Sequence, residues 1–137
     1  MEKSPRNNWQ RPRSLREVVA WAETPEQIGE NLADFLDHMN LQVRNRARRA
    51  RLAAGIRAEP TRTGDPVQDA YLAAVAVHLA NTLRLPAPRW ALSKKRRLIR
   101  PWFALPYAWA RAELLRSSPA AFRERNIFTT EDALHRV

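Results

Sequence analysis

The residues of this chain best suited by type and spacing to do chemistry are arginines. Residues 43–57 read VRNRARRARLAAGIR, holding Arg44, Arg46, Arg48, Arg49, Arg51 and Arg57 with neither a lysine nor a carboxylate among them. A second run, Lys94, Lys95, Arg96 and Arg97, lies within RWALSKKRRLIR. Guanidinium groups at this density bind phosphate or carboxylate oxygens, often through paired N–H donors. A solvated helix face is the structural alternative, since arginine favours helices and its stem covers apolar surface. The first run, however, has no interleaved glutamate for i,i+4 pairing, so its cations repel one another until something external neutralises them. Nucleic acid and an acidic protein surface both remain open as partners.

No other grouping points to catalysis. His38, His78 and His135 are far apart and lack metal-ligand spacing. His78 falls in an apolar stretch, where a core histidine is the simpler reading. Cysteine is absent, which excludes disulfide and thiolate chemistry. Glycine-rich phosphate loops are absent too. The expectation is therefore no enzyme, no metal and no cofactor. Zinc-finger spacing, an RNP-type aromatic motif and a clear helix-turn-helix are also missing, so any nucleic-acid binding is expected to read sequence weakly. The tryptophans lie in apolar contexts and are read as core anchors, Trp9 excepted.

The elements that must position the arginines are helices. Ala, Leu, Arg and Glu dominate, only Gly29, Gly55 and Gly64 occur, and period-two β-branched runs are missing. The expected fold is all-α: a single compact multi-helix domain over residues 14–137, preceded by a flexible basic arm at 1–13. Ser14 and Glu17 form an S-x-x-E start signal. Thr24, Pro25 and Gln27 start a second helix, with Ile28, Leu32, Phe35, Leu36 and Met39 on one face. A break is expected near Asn40. The arginine helix should present Val43, Ala47, Ala50 and Ala54 as a narrow apolar stripe and stop at Gly55. Asp65 and Pro66 open a long apolar helix that should be central, with Tyr71, Val75 and Leu79 buried; Pro86 and Pro88 end it. Residues 89–106 read as an irregular basic loop pinned by Trp90, Trp102 and Phe103. Short helices follow near YAWARAELLRSS, after Ser118–Pro119, and after Thr129 or Thr130.

The formal charge of +10 favours polyanions or acidic proteins. It is uneven: residues 14–40 carry one arginine against six carboxylates, so the rest of the chain is more basic still. MEKSPRNNWQRPRS lacks the apolar core of a signal peptide, and no run approaches the roughly 18 apolar residues of a membrane span. A cytoplasmic protein without a membrane partner is expected.

Four stretches carry a resemblance: NLADFLDHM, GDPVQDAYLAAVAVHLA, RPWFALP and SSPAAFRERNIFTTEDALHRV. In this order they resemble a poorly characterised family of small bacterial all-helical proteins encoded beside nucleotidyltransferase-like toxins. The resemblance covers roughly residues 14–137. It implies an antitoxin-like or accessory role in a toxin–antitoxin pair. A nucleotidyltransferase holds Mg²⁺ with carboxylates, so a basic partner would dock on that acidic cleft through Arg44, Arg46, Arg48, Arg49, Arg51, Lys94, Lys95, Arg96 and Arg97. Charge would speed association, and apolar anchors such as Trp9, Phe122, Ile127 and Phe128 would supply affinity. The alternative is a weakly sequence-specific RNA- or DNA-binding protein using the same cations.

Overall fold

Helix-start chemistry organises the first third of the chain. The computed structural model describes residues 10–43, 49–130 and 134. Ser14 Oγ accepts a bond from the Glu17 N–H (3.1 Å) and opens α1, Leu15–Ala20. The return bond falls one residue early: Glu17 Oε1 accepts from the Arg13 N–H at 2.8 Å. Helix α2, Pro25–Val43, repeats the device, with Gln27 Oε1 accepting from the Glu23 N–H just before Thr24. In both, the third helical residue ties down the chain ahead of the cap and fixes its angle of entry. Helix α2 runs through Asn40, where a break was expected. Helix α3 spans Arg49–Arg57.

The described residues pack as two compact units, one up to Thr61 and one from Arg62 onward. In the first, α1, α2 and α3 pack pairwise on one another. The α2 face expected from the 3.6 period, Ile28, Leu32, Phe35, Leu36 and Met39, is buried throughout. Pro12, expected in a flexible arm, is buried too, while residues 1–9 lie outside the described ones. Buried Asn31 donates from Nδ2 to the Val18 carbonyl at 3.1 Å, tying α2 to α1.

Helix α3 differs from expectation. Ala50 and Ala54 are exposed, and the buried face is Leu52, Gly55 and Ile56. Gly55 is not a stop but a close-packing position within the helix. A Cβ there would lie 3.0 Å from the Arg13 carbonyl oxygen and 3.4 Å from both Met39 Sδ and Phe35 Cε1. Gly55→Val is therefore expected to lower stability by about 1–3 kcal/mol through overpacking. Urea melts check this; an unchanged midpoint would mean that the helices do not meet so closely.

The second unit is built around α4, Pro66–Leu83. Asp65 Oδ1 accepts from the Val67 N–H at 2.9 Å, with Pro66 in the first turn. The helix ends at Leu83, ahead of Pro86, on a left-handed Arg84 (φ 57°) whose N–H caps the last turn. Ala70 and Leu72 to Val77 are buried. Tyr71 and Leu79, expected to be buried, are half-buried. Tyr71 and His78, seven residues apart on one stripe, both lie against the Phe122 ring, with centroids 5.1 and 6.1 Å away. Desolvation lowers the His78 pKa below its ordinary value and so favours the neutral imidazole.

Around α4 lie 3-10 turns at Arg89–Leu92 and Lys94–Arg96, a two-residue strand β1 (Trp102–Phe103), a third 3-10 turn at Ala108–Ala110, α5 (Arg111–Ser117), α6 (Ala120–Arg123) and strand β2 (Ile127–Phe128). The strands pair in parallel, Trp102 with Ile127 and Phe103 with Phe128. This is the sole departure from an all-helical fold among the described residues, and it anchors what was expected to be an irregular loop. The helix expected after Thr129 or Thr130 lies largely outside the described residues; Thr129 itself is buried, its N–H bonding Ser118 Oγ at 2.8 Å. Among the described residues no helix is long and apolar enough to cross a membrane.

Candidate functional site

The expected cationic residues divide. Arg44, Arg46 and Arg48 lie outside the described residues, as does the side chain of Arg49. Arg51 and Arg57 are exposed on α3. Lys94, Lys95 and Arg97 are exposed, but Arg96 is wholly buried. A tight 3-10 turn, opened by Ser93 Oγ accepting from the Lys95 N–H, points one side chain per turn inward. Arg96 is that side chain. Its Nη1 donates to the Asp69 carbonyl at 3.2 Å, lies 3.8 Å from Asp69 Oδ1, and its guanidinium sits 4.9 Å from the centre of the Trp90 ring. Asp69 in turn accepts from the Thr63 N–H and hydroxyl and the Gly64 N–H. Arg96 thus secures the turn to α4 and is removed from the set of partner-binding cations.

The expected apolar anchors also change. Phe122 and Ile127 are fully buried core residues and present nothing to a partner. Phe128 is half-buried, its ring stacked 5.2 Å from that of Phe103. Trp9 lies outside the described residues.

A second buried arginine was missed from the sequence. Arg125 Nε and Nη2 donate to the Ala91 carbonyl at 3.3 and 2.9 Å, and Nη1 donates to the Ala121 carbonyl at 2.8 Å. Desolvation depresses its pKa, with nearby Glu124 opposing and Arg97 adding to the effect. Asn126 beside it has φ 65° and donates from Nδ2 to the Leu98 carbonyl at 2.9 Å. Together they hold residues 91–99 against the end of α6.

What this scaffold displays is a run of exposed cations. Between Asp69 and Glu113 the sequence contains no carboxylate. Within that interval Arg84, Arg89, Lys94, Lys95, Arg97, Arg100 and Arg111 are all exposed. Several apolar side chains share the interval: Ile99 is 96% exposed, and Tyr107 and Trp109 stand out at 54% and 77%. Trp109 had been read as a core anchor. It lies in the 3-10 turn ahead of α5, exposed beside buried Ala110; four and seven residues on, Glu113 and Arg116 are exposed and pair at 2.7 Å, while Leu114 is buried. That spacing was visible in the sequence. Trp21, Trp90 and Trp102 are half-buried.

Among the described residues no group of three or more His, Cys, Asp or Glu is placed to hold a metal ion. Comparison with protein-family models, with curated proteins and with solved structures finds no match.

Proposed function

We propose that this chain is a polyanion-binding protein without catalytic activity of its own, and that its polyanion is nucleic acid. The observation that carries this reading is the run of exposed cations from Arg84 to Arg111, uninterrupted by any carboxylate. Such a surface gains affinity by releasing counterions from a phosphate backbone. Exposed aromatic rings within the same stretch add a group that bases can use. Loss of Phe122 and Ile127 to the core weakens the case for a protein partner held by those anchors.

A second reading keeps the toxin partner implied by the family resemblance. Ile99 and Leu92, 96% and 49% exposed, favour it, because aliphatic side chains amid cations suit a protein interface and contribute little to phosphate binding. Here the chain would be the antitoxin-like member of a bacterial cytoplasmic pair, docking on the acidic cleft of a nucleotidyltransferase.

The combined variant Lys94→Gln, Lys95→Gln, Arg97→Gln and Arg100→Gln separates the two. If nucleic acid is bound, log affinity against log salt should flatten by up to about 0.7 per lost contact on single strands, or about 0.9 on duplex DNA. If an acidic protein is bound, the loss should fall mainly on the association rate at low salt, and reversing charges on the partner should restore it. A variant that leaves both kinds of binding unchanged would make this surface a solvated one only.

A further inference from the structure

Residues 103–111 form a loop whose ends meet. At one end Phe103 stacks on Phe128, and the Ala104 N–H donates to the Phe128 carbonyl at 2.9 Å. At the other, the Arg111 guanidinium sits 5.4 Å from the centre of the Phe103 ring. Between these points the chain carries Tyr107 and Trp109, whose rings are parallel to within 7° with centroids 5.6 Å apart. That separation exceeds the roughly 3.5–4.0 Å of direct carbon contact, so the rings are offset and make a stepped shelf. Stacked in this way, Tyr107 and Trp109 still stand 54% and 77% exposed. The loop's base is fixed by strand pairing and by the Arg111 guanidinium over the Phe103 ring, and exposed Arg111 follows Trp109 by two residues.

Aromatic faces held open next to cations are what unpaired bases stack on. Duplex bases already cover one another's faces, so the shelf suits a single strand. A protein hot spot would surround Trp109 with apolar contacts that exclude water; α5, which follows it, exposes the Glu113–Arg116 ion pair together with Leu115. Resting on the nucleic-acid reading above, we propose that Tyr107 and Trp109 stack the unpaired bases of a single-stranded nucleic acid while Arg111 and the adjoining cations hold its phosphates.

The test is fluorescence anisotropy with oligothymidine, oligouridine and blunt duplex DNA, each of roughly 12 nucleotides per strand, within the usual site sizes for single-strand binders. Wild-type protein should bind either single strand more tightly than the duplex. Trp109→Ala should weaken single-strand binding by roughly 5- to 150-fold, the range expected for losing one stacked base. Trp109→Phe should retain most of the affinity. Both variants should unfold at the wild-type midpoint, since the ring is exposed. If Trp109→Ala and Tyr107→Ala bind as wild type does, the shelf is no stacking site although the cationic surface still binds nucleic acid. Equal affinity for duplex and single strand would also overturn the proposal. Wild-type protein that ignores all three oligonucleotides and binds polyglutamate would overturn it together with the reading beneath it, in favour of an acidic protein partner.

Discussion

Arg96→Ala is expected to lower stability by about 3–5 kcal/mol, the usual consequence of removing one partner from a buried charge pair. Arg97→Ala, one residue along, should change it by about 0.5 kcal/mol or less, as exposed positions do. The contrast follows from burial alone: the Arg96 side chain is fully buried and the neighbouring Asp69 side chain is 7% exposed. Without Arg96, the Asp69 carbonyl loses a charged donor and the Trp90 ring loses its cation. Asp69 would keep its bonds from Thr63 and Gly64, so the loop before α4 should persist while the turn at Lys94–Arg96 detaches. Urea titrations read the loss as a lower midpoint, and faster amide exchange at residues 93–98 would localise it. Equal effects from Arg96→Ala and Arg97→Ala would mean that the whole basic run is on the surface, as the sequence suggests.

How much could be read in advance depended on the range of the forces involved. Helix starts at Ser14 and Asp65 are decided within four residues, and both were legible. The buried face of α2 was legible because large apolar residues recur at the helical period over about three turns, from Ile28 to Met39. Helix α3 was misread because its small residues offered a stripe on one face while Leu52 and Ile56, with Gly55 between, were wanted on another by Phe35 and Met39. No local pattern distinguishes Arg96 or Arg125 from the exposed cations beside them. Arg96 has an acceptor 27 residues away, and Arg125, besides Ala121 four residues back, has one 34 residues away; only the folded chain brings those distant carbonyls within reach. Trp109 is the opposite case, since its wet face could have been found from Glu113 and Arg116 at helical spacing.

The residues that carry the family resemblance have structural tasks. Gly64 adopts φ 92°, Asp65 caps α4, and Asp69 gathers three donors from the preceding loop. Ser118 bonds Thr129 across the end of α6, Arg125 and Asn126 bind backbone carbonyls, and Ile127 is core. These residues of the motif therefore describe how the second unit folds. Function, on our reading, resides in cations and aromatic rings that, Arg100 excepted, lie between the motif's segments.

Phe122→Ala extends that distinction to a residue expected beforehand to touch a partner. Its ring is fully buried between α6 and α4, edge-on to Tyr71 at 5.1 Å and tilted against His78 at 6.1 Å. Truncation removes the cover from both rings and opens a cavity beside the central helix. The expected cost is about 3–5 kcal/mol, as for other buried phenylalanines. It should appear as a lower urea midpoint with little change in slope if the variant still unfolds in one step. Because Phe122 is inside the fold, the fraction of variant that remains folded should bind partner as wild type does. A partner anchor would behave in the opposite way, with a small change in stability and a large loss of binding. Exposed Trp109 is predicted to show that second pattern, so the two aromatic substitutions, compared side by side, assign one ring to the core and the other to recognition.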